Sequence, residues 1–408
     1  MTSPLPGFSA HFGLSNIPFG VGSSKANAVP TCVSRFQDSV IFLDKLQDTF
    51  NGVQGLPDGI FAHPTLNAFA ALPQPVHVEI RERLQDAIRG DATLTSFPAG
   101  SVEPIHAVSM HLPVVTGDFT DMSCSLNHVQ NASEAMTGTR SEPPAFFHMP
   151  IGYAGRCSSL DVSGTPVERP LGQYWSGKPF ESDVVFGPCK RMDYELELGA
   201  IVGQPLPRNE RLLASQAESH VFGYVLVNDW SARDIQGLEM IPLGPLNGKN
   251  AGTTVSPWVV TSDALRAFRA ASPPRKREVM PYLADTGNEA LDIKLKVHVS
   301  PPGTGLEAGT IACKSNAAWM HWTLAQCLAH QAIGGCGLRT GDLIATGTVS
   351  GGGEDEHGCL MEFMKAGAKP PRGYLEDGET VTLTGYCGDG VGFGECIATL
   401  LPAKELVS

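Results

Sequence analysis

The stretch HVFGYVLVND, residues 220–229, decides the fold. Its apolar residues run on without alternation, which fits a β-strand buried on both faces. The run stops abruptly at Asn228-Asp229. Upstream, DYELELGAIVG (193–203) alternates with period two. As a strand it places Asp193, Glu195 and Glu197 on one face and Tyr194, Leu196 and Leu198 on the other. Downstream, GDLIATGTVSG (341–351), ETVTLTGYC (379–387) and ECIATLLPA (395–403) read as further strands bounded by glycine. Helices are few: SDALRAFRA (262–270), with Ser262 or Asp263 as its cap, and TLAQCLAHQAIGG (323–335), ending at glycines. The pattern predicts a mainly β chain folded into a β-roll or barrel, not a doubly wound α/β domain.

Residues up to Pro113 are different in texture. Short apolar runs such as NIPFGVGS (16–23) and DSVIFLDKL (38–46) are broken by proline and glycine. One helix is expected, VHVEIRERLQDAIRGD (76–91), with Gly90 as its C-cap. A chain of 408 residues exceeds one average domain. The division expected is a small β-rich domain over 1–113 and a larger one over 114–408.

Composition narrows the function. Hydrophobic residues make up 42% and charged residues 17%, the balance of a chain that builds cores. The formal net charge of −13 argues against nucleic acid or an anionic membrane as partner. An anionic substrate therefore needs local cations or a bound metal. The ten cysteines include no C-x-x-C pair and sit in apolar stretches, so reduced, mostly buried thiols in a cytosolic protein are expected. MTSPLPGFSAHFGL at the start has no signal-peptide core, and KELVS at the end is not a peroxisomal tripeptide. No apolar run approaches the ~20 residues that span a bilayer.

Four stretches can carry chemistry. In GDFTDMSCSLNH (117–128), which reads as a loop, two aspartates and His128 offer either turn caps or a metal ligand and a proton acceptor. Glu195 and Glu197 stand roughly 6.5–7 Å apart if they share a strand face. An exposed polar face gives the same pattern, but carboxylates in a row repel unless something positive sits among them. In NDWSARDIQG (228–237), Asp229 ends a buried strand and Arg233 and Gln236 share a face of the following turn. The alternative is that Asp229 or Ser231 merely caps that turn. In PLGPLNGKNAGTTVSPW (242–258), Gly248 and Gly252 let the backbone approach a ligand or ion, with Lys249 between them. In GCLMEFMKAG (358–367), Glu362 lies in what reads as an apolar strand and needs a partner such as histidine if buried. GVGFGE (390–395) precedes a strand, so it is not a dinucleotide fingerprint.

Taken together and in order, these fragments, with PIGYAGRCSS, SGTPVERPLGQ, HPTLNAFAAL and TGYCGDGVGFGEC, resemble the fumarylacetoacetate hydrolase family over essentially the whole chain. NIPFGVGS and the other N-terminal segments resemble the fumarylacetoacetase branch, which carries an extra N-terminal domain. The resemblance implies an SH3-like N-terminal barrel followed by a β-roll, a homodimer, and cleavage of a carbon–carbon bond in 4-fumarylacetoacetate to fumarate and acetoacetate in tyrosine and phenylalanine breakdown. It implies divalent-cation ligands at Asp121, Glu195, Glu197 and Asp229, and a second, Mg-type site around Lys249 and Thr253 that shares Asp229. It implies His128 as general base with Glu362 orienting it, and Arg233, Gln236 and Lys249 as donors to substrate and oxyanion. Tyr153 and Thr348 match substrate contacts. An all-carboxylate set suits a hard cation, Ca²⁺ or Mg²⁺, rather than structural zinc.

The chain departs from the family at three points. Ser123 and Met240 stand where the family has substrate-contacting tyrosines. In NASEAMTGTRSEPP (131–144), Arg140 is the nearest match to a substrate-binding arginine, displaced by a few positions. Two other readings keep the same site: a hydrolase or decarboxylase of another acylpyruvate or diketo acid, and a non-catalytic metal-binding scaffold.

Overall fold

A computed structural model describes residues 7–364 and 372–406. The readings that touch the first six residues, Lys365 to Gly367, and the last two residues lie outside them. The chain is mainly β. In the N-terminal part, five antiparallel strands form one sheet in the order Val102–Pro104, Ser39–Phe42, Thr31–Phe36, Phe19–Ser24, Val108–His111. This is the small SH3-like barrel. Its helix runs Gln74–Gly90 and buries Val76, Ile80, Leu84 and Ile88, a spacing of four. Gly90 is the last helical residue and Asp91 follows at φ −149°, so the glycine forms no left-handed cap.

The larger part is built from two sheets. An eight-stranded sheet runs Gly152–Gly155, Phe119–Met122, Leu343–Ala345, Leu196–Val202, Val221–Asp229, Thr253–Val255, Leu160–Val162, with Val260–Thr261 pairing beside it. A five-stranded sheet runs Thr310–Asn316, Lys294–Ser300, Thr380–Gly388, Val391–Leu401, Val167–Glu168. Every residue of Val221–Asp229 is buried, because the central sheet is covered on both faces. On one face Leu196, Leu198, Leu226 and Tyr224 pack with Leu295, Val297, Leu383 and Phe393 of the second sheet, forming the interior of the β-roll. On the other, Ile201, Val225, Val227 and Phe222 pack with Phe19, Phe61 and Phe69 of the N-terminal part. The ring of Phe69 sits 5.0 Å from Phe19, 5.7 Å from Phe222 and 4.9 Å from His77. Arg81 adds an ion pair to Asp263 at 2.5 Å.

Three local readings need correction. GDFTDMSCSLNH is not a loop: Phe119–Met122 is a strand, and Ser125 caps a helix, Leu126–Thr137, by accepting the His128 backbone N–H at 3.2 Å. Glu362 lies in a short 3-10 helix, Leu360–Phe363, and not in a strand, because the Asp193 carboxylate accepts the N–H groups of Leu360 and Met361 at 2.8 and 3.0 Å. The helix Ser262–Leu265 is capped by Thr261, whose hydroxyl accepts from Ala264. All ten cysteines are free thiols, eight of them buried. Among the described residues no helix is long and apolar enough to cross a membrane.

Phe69 joins the N-terminal part to the central sheet. Phe69→Ala is expected to lower unfolding free energy by about 3–5 kcal/mol, since it opens a cavity where three rings meet. Chemical denaturation measures this; a loss below about 1 kcal/mol would mean that the shared core does not hold the two parts together.

Candidate functional site

Strand register assembles the acidic residues. Asp121 pairs with Ala345, which pairs with Gly199. Glu197 lies two residues before Gly199 and pairs with Val227, and Asp229 lies two after Val227 and pairs with Thr253. Side chains two apart share a face. Asp121, Glu197 and Asp229 therefore continue the face that elsewhere carries Phe119, Ile201, Val225 and Val227, and all three stand at one end of it. Glu195 joins them where the ladder is interrupted: its N–H is taken at 3.1 Å by the side chain of Asn228. Ligand oxygens of Asp121, Glu195, Glu197 and Asp229 all lie within 4.8 Å of one another, and each residue is at most 4% exposed.

Asp193, the third acid in the alternating stretch, does not join the cluster. It is fully buried and accepts Arg233 Nε at 2.9 Å besides the two N–H groups named above. The four remaining carboxylates face Lys249, whose Nζ donates to Glu195 Oε2 and, at 2.7 Å, to Asp229 Oδ2. Arg233 Nη1 adds a contact to Glu195 Oε1 at 2.8 Å. Burial alone pushes Glu195 up, but the charges of Lys249 and Arg233 outweigh it and hold the carboxyl well below its usual range. Lys249 is buried, which lowers its pKa, yet Asp229 and Glu195 raise it well above that of a free lysine. Asp121 and Glu197 lack such partners. Burial, together with the charge of Asp229 on Asp121 and of Asp121 on Glu197, pushes both well up.

This arrangement fits a cation. Among the described residues, Asp121 Oδ1 and both Glu197 oxygens are buried with no hydrogen-bond partner. Buried carboxylate oxygens without donors are costly, and a divalent ion with oxygen preference is what they suit. The Lys249 side chain is not a ligand. An ammonium has no lone pair, so it serves as a counter-charge beside the cluster. Thr253 Oγ1 donates to Asp229 Oδ1 at 3.0 Å and Tyr153 Oη to Asp229 Oδ2 at 2.7 Å.

A second group lies alongside. His128 Nδ1 is 3.0 Å from Glu362 Oε1. The same oxygen accepts Ser350 Oγ at 2.6 Å, while Oε2 accepts Asn131 Nδ2 at 2.8 Å. Burial raises the Glu362 pKa, but His128 and the donors of Ser350 and Asn131 bring it below the ordinary value. An ionised Glu362 only accepts, so the imidazole carries its proton on Nδ1 and presents a lone pair at Nε2.

The other residues singled out above are placed as follows. Gln236 Oε1 accepts Arg233 Nη1 at 3.1 Å, which leaves its amide N–H groups to donate. Arg233 Nη2 and Thr348 Oγ1 are buried with no partner among the described residues. Ser123 is half-buried, its N–H bound to Ile151 O at 2.8 Å. Met240 ends the helix Arg233–Glu239 and is 39% exposed. Arg140 donates to Asn131 Oδ1. Asp118 pairs with Arg339 at the surface. Asp229 and Ser231 cap no helix: Ala232 holds the N-cap position without a side-chain bond. A Cβ on Gly248 would stand 2.6 Å from the Gln236 Cβ, so that glycine admits the neighbouring helix rather than a ligand.

Sequence reasoning missed Asn131, Ser350 and Glu239. The Glu239 carboxylate accepts the N–H groups of Leu246, Asn247 and Gly248 at 2.7, 3.0 and 2.7 Å and so fixes the turn that carries Lys249. No local signal marks it, since loop and helix meet only in the fold.

Carboxyls with raised pKa bind protons more tightly folded than unfolded. Their effect is destabilising above the ordinary carboxylate range and grows as pH rises. In chelator, the melting temperature is expected to fall from about pH 5 to about pH 7.5, with Ca²⁺ or Mg²⁺ restoring most at the upper end. Glu197→Gln is expected to melt higher in chelator and to lose most of the cation response. Melting curves indifferent to chelator and millimolar cation would rule the site out.

Comparison with known proteins agrees with this geometry. The model of the fumarylacetoacetate hydrolase C-terminal region matches residues 118–401, and that of the fumarylacetoacetase N-terminal region matches residues 15–113. The fumarylacetoacetase fahA of Aspergillus fumigatus is 40% identical, with 97% of each chain covered. The fumarylacetoacetases of Homo sapiens and Arabidopsis thaliana are 40% and 38% identical, covering 96% and 97% of each chain. A fumarylacetoacetate hydrolase from the psychrophile Exiguobacterium antarcticum shares the fold, with a TM-score of 0.54 at 19% identity over 95% of this chain and 100% of its own. Matched along both parts and at this identity, the chain belongs to the fumarylacetoacetate hydrolase family.

Proposed function

We propose that the chain hydrolyses 4-fumarylacetoacetate to fumarate and acetoacetate, the activity named for its relatives in Aspergillus, Arabidopsis and Homo sapiens. The observation that carries the reading is the His128–Glu362 pair beside a carboxylate cluster with unpartnered oxygens. His128 Nε2 takes a proton from water, and the hydroxide adds to the carbonyl next to the fumaryl group. Glu362 stabilises the imidazolium that forms. Donors for the tetrahedral oxyanion are the free Arg233 Nη2, the Gln236 amide and the third proton of Lys249. Collapse of the intermediate breaks the carbon–carbon bond, and its electron pair leaves on the acetoacetate enolate. His128 then returns its proton to that carbon. Ca²⁺ or Mg²⁺ held by Asp121, Glu195, Glu197 and Asp229 would supply the Lewis-acid charge that stabilises the enolate. A second Mg²⁺ near Lys249 and Thr253 would share Asp229 and use the Thr253 hydroxyl and backbone oxygens, since the lysine side chain is cationic.

Tyr153, Thr348, Ser123, Met240 and Arg140 are the substrate contacts that the resemblance implies. Thr348 Oγ1, buried and unpartnered, supports its part in this. The exposed Met240 favours the second reading, another acylpyruvate or diketo acid at the same centre. Retention of both His128 and Glu362 speaks against a silent scaffold.

The proposed domain division, 1–113 and 114–408, is supported by matches over 15–113 and 118–401. A homodimer is proposed from the resemblance, and the apolar Ile241 and Leu243, 81% and 96% exposed, are candidates for burial in it. Ten free thiols suit a reducing compartment such as the cytoplasm.

The test follows loss of fumarylacetoacetate absorbance with purified protein. His128→Ala is expected to cost about 10²–10⁴-fold in kcat. Lys249→Met is expected to cost about 10²–10³-fold. Chelator is expected to abolish turnover. No turnover by wild type would sink the substrate assignment, and activity on shorter acylpyruvates alone would select the second reading. Turnover indifferent to His128→Ala would sink the mechanism.

A further inference from the structure

His128 and Asn131 stand three residues apart on the helix Leu126–Thr137 and so share a face. Both reach the same buried carboxylate, one on each oxygen: His128 Nδ1 on Glu362 Oε1 and Asn131 Nδ2 on Oε2. The helix then ends at Gly138, whose left-handed backbone at φ 75° turns the chain back along the helix. The returning segment is held by Ser133 with Ser141 at 2.8 Å and by Gln130 with Glu142 at 2.9 Å. Arg140, just before Ser141, donates to Asn131 Oδ1, with Glu134 at 3.5 Å as another partner.

This chain of contacts has a direction. A guanidinium has no acceptor, so the atom of Asn131 facing Arg140 must be the oxygen. The amide nitrogen is thereby aimed at Glu362. If the amide turned over, its oxygen would meet a carboxylate oxygen in a buried place. Ser350 and His128 share Oε1, and among the described residues Asn131 gives the hydrogen bond to Oε2. Asn131 therefore sets the plane of the carboxylate, and the plane sets which oxygen meets the imidazole. From these contacts we propose that Asn131 is a positioning residue for the base, and that Arg140 acts through it as the lock on its amide rather than as a substrate contact. This rests on the reading of His128 as base given above.

The alternatives for Arg140 separate kinetically. A substrate contact is felt mainly in KM. A lock on the base is felt in kcat and vanishes once Asn131 is gone. The experiment is a cycle of wild type, Arg140→Met, Asn131→Ala and the double variant, with Arg140→Lys as the conservative control. Asn131→Ala is expected to lower kcat about ten- to a hundredfold, the range for a hydrogen bond to a charged group, with KM unchanged. Arg140→Met is expected to lower kcat several-fold with KM unchanged, to add nothing in the Asn131→Ala background, and to be largely rescued by lysine. Arg140 is 42% exposed at its side chain, so its variants fold even where Asn131→Ala does not.

A second measurement does not depend on turnover. Nitrogen-15 NMR of histidine-labelled protein, with His128 identified by its loss in His128→Gln, reads the tautomer directly. Wild type is expected to show the proton on Nδ1, and Asn131→Ala and Arg140→Met a mixture of tautomers. If wild type lacks turnover but shows this signature, the functional reading fails while the positioning stands. An Arg140→Met variant with raised KM, the same factor in both backgrounds and an unchanged His128 spectrum would overturn the proposal.

Discussion

The structure turns on one electrostatic constraint. Four carboxylates meet in a buried place, and a single lysine, helped on one side by Arg233, faces them. Such a cluster calls for more positive charge, and that requirement is what makes it a candidate cation site. The central sheet supplies the geometry. Asp121, Glu197 and Asp229 come from three strands whose register brings same-face side chains to one end. A slip of one residue in any pairing would turn its acid to the opposite face. The apolar part of that face is buried against the N-terminal part, so the packing that fixes register also fixes the cluster.

The proposed base, His128, and its partner Glu362 are attached to this frame from another direction. Asp193 lies beside the cluster in sequence but is spent on structure. Its carboxylate ties Arg233 to the start of the turn that carries Glu362. Arg233 in turn reaches Glu195 and Gln236. One fully buried acid thus holds Arg233 and the turn of Glu362 in mutual register. Glu239 does the same for the Lys249 turn through three backbone N–H groups. Residues that never touch substrate therefore decide where the reacting groups stand.

Much of this was legible in the sequence. The unbroken run at 221–229 and the alternation at 193–203 both announced strands; both are buried on two faces, and the alternation marks acids buried at the site rather than a face turned to solvent. Parity along a strand is a local property and put Glu195 and Glu197 on one face, but it put Asp193 there too, and Asp121 and Asp229 joined them only through the family resemblance. What was hidden depended on distant partners. Phe119–Met122 reads as loop because its four residues are a strand only by pairing with Leu343–Ala345 and Gly152–Gly155. The apolar neighbours of Glu362 suggested a strand, but hydrogen bonds from the Leu360 and Met361 N–H groups to Asp193, remote in sequence, set a helical turn there. Gly248 looked like room for a ligand, and the space belongs to Gln236. Asn131, Ser350 and Arg140 carry no signal of their own. Their roles exist only where the helix, the turn and the returning segment meet.

The most direct test of the central claim is crystallographic. Crystals grown with Mn²⁺, a hard cation with a usable anomalous signal, would locate the metal without assuming a reaction. The account predicts one strong anomalous peak per chain within bonding distance of Asp121 and Glu197 oxygens, with Lys249 Nζ outside the coordination sphere. A chain saturated with Mn²⁺ that shows no peak among the four carboxylates, or one centred elsewhere, would contradict it.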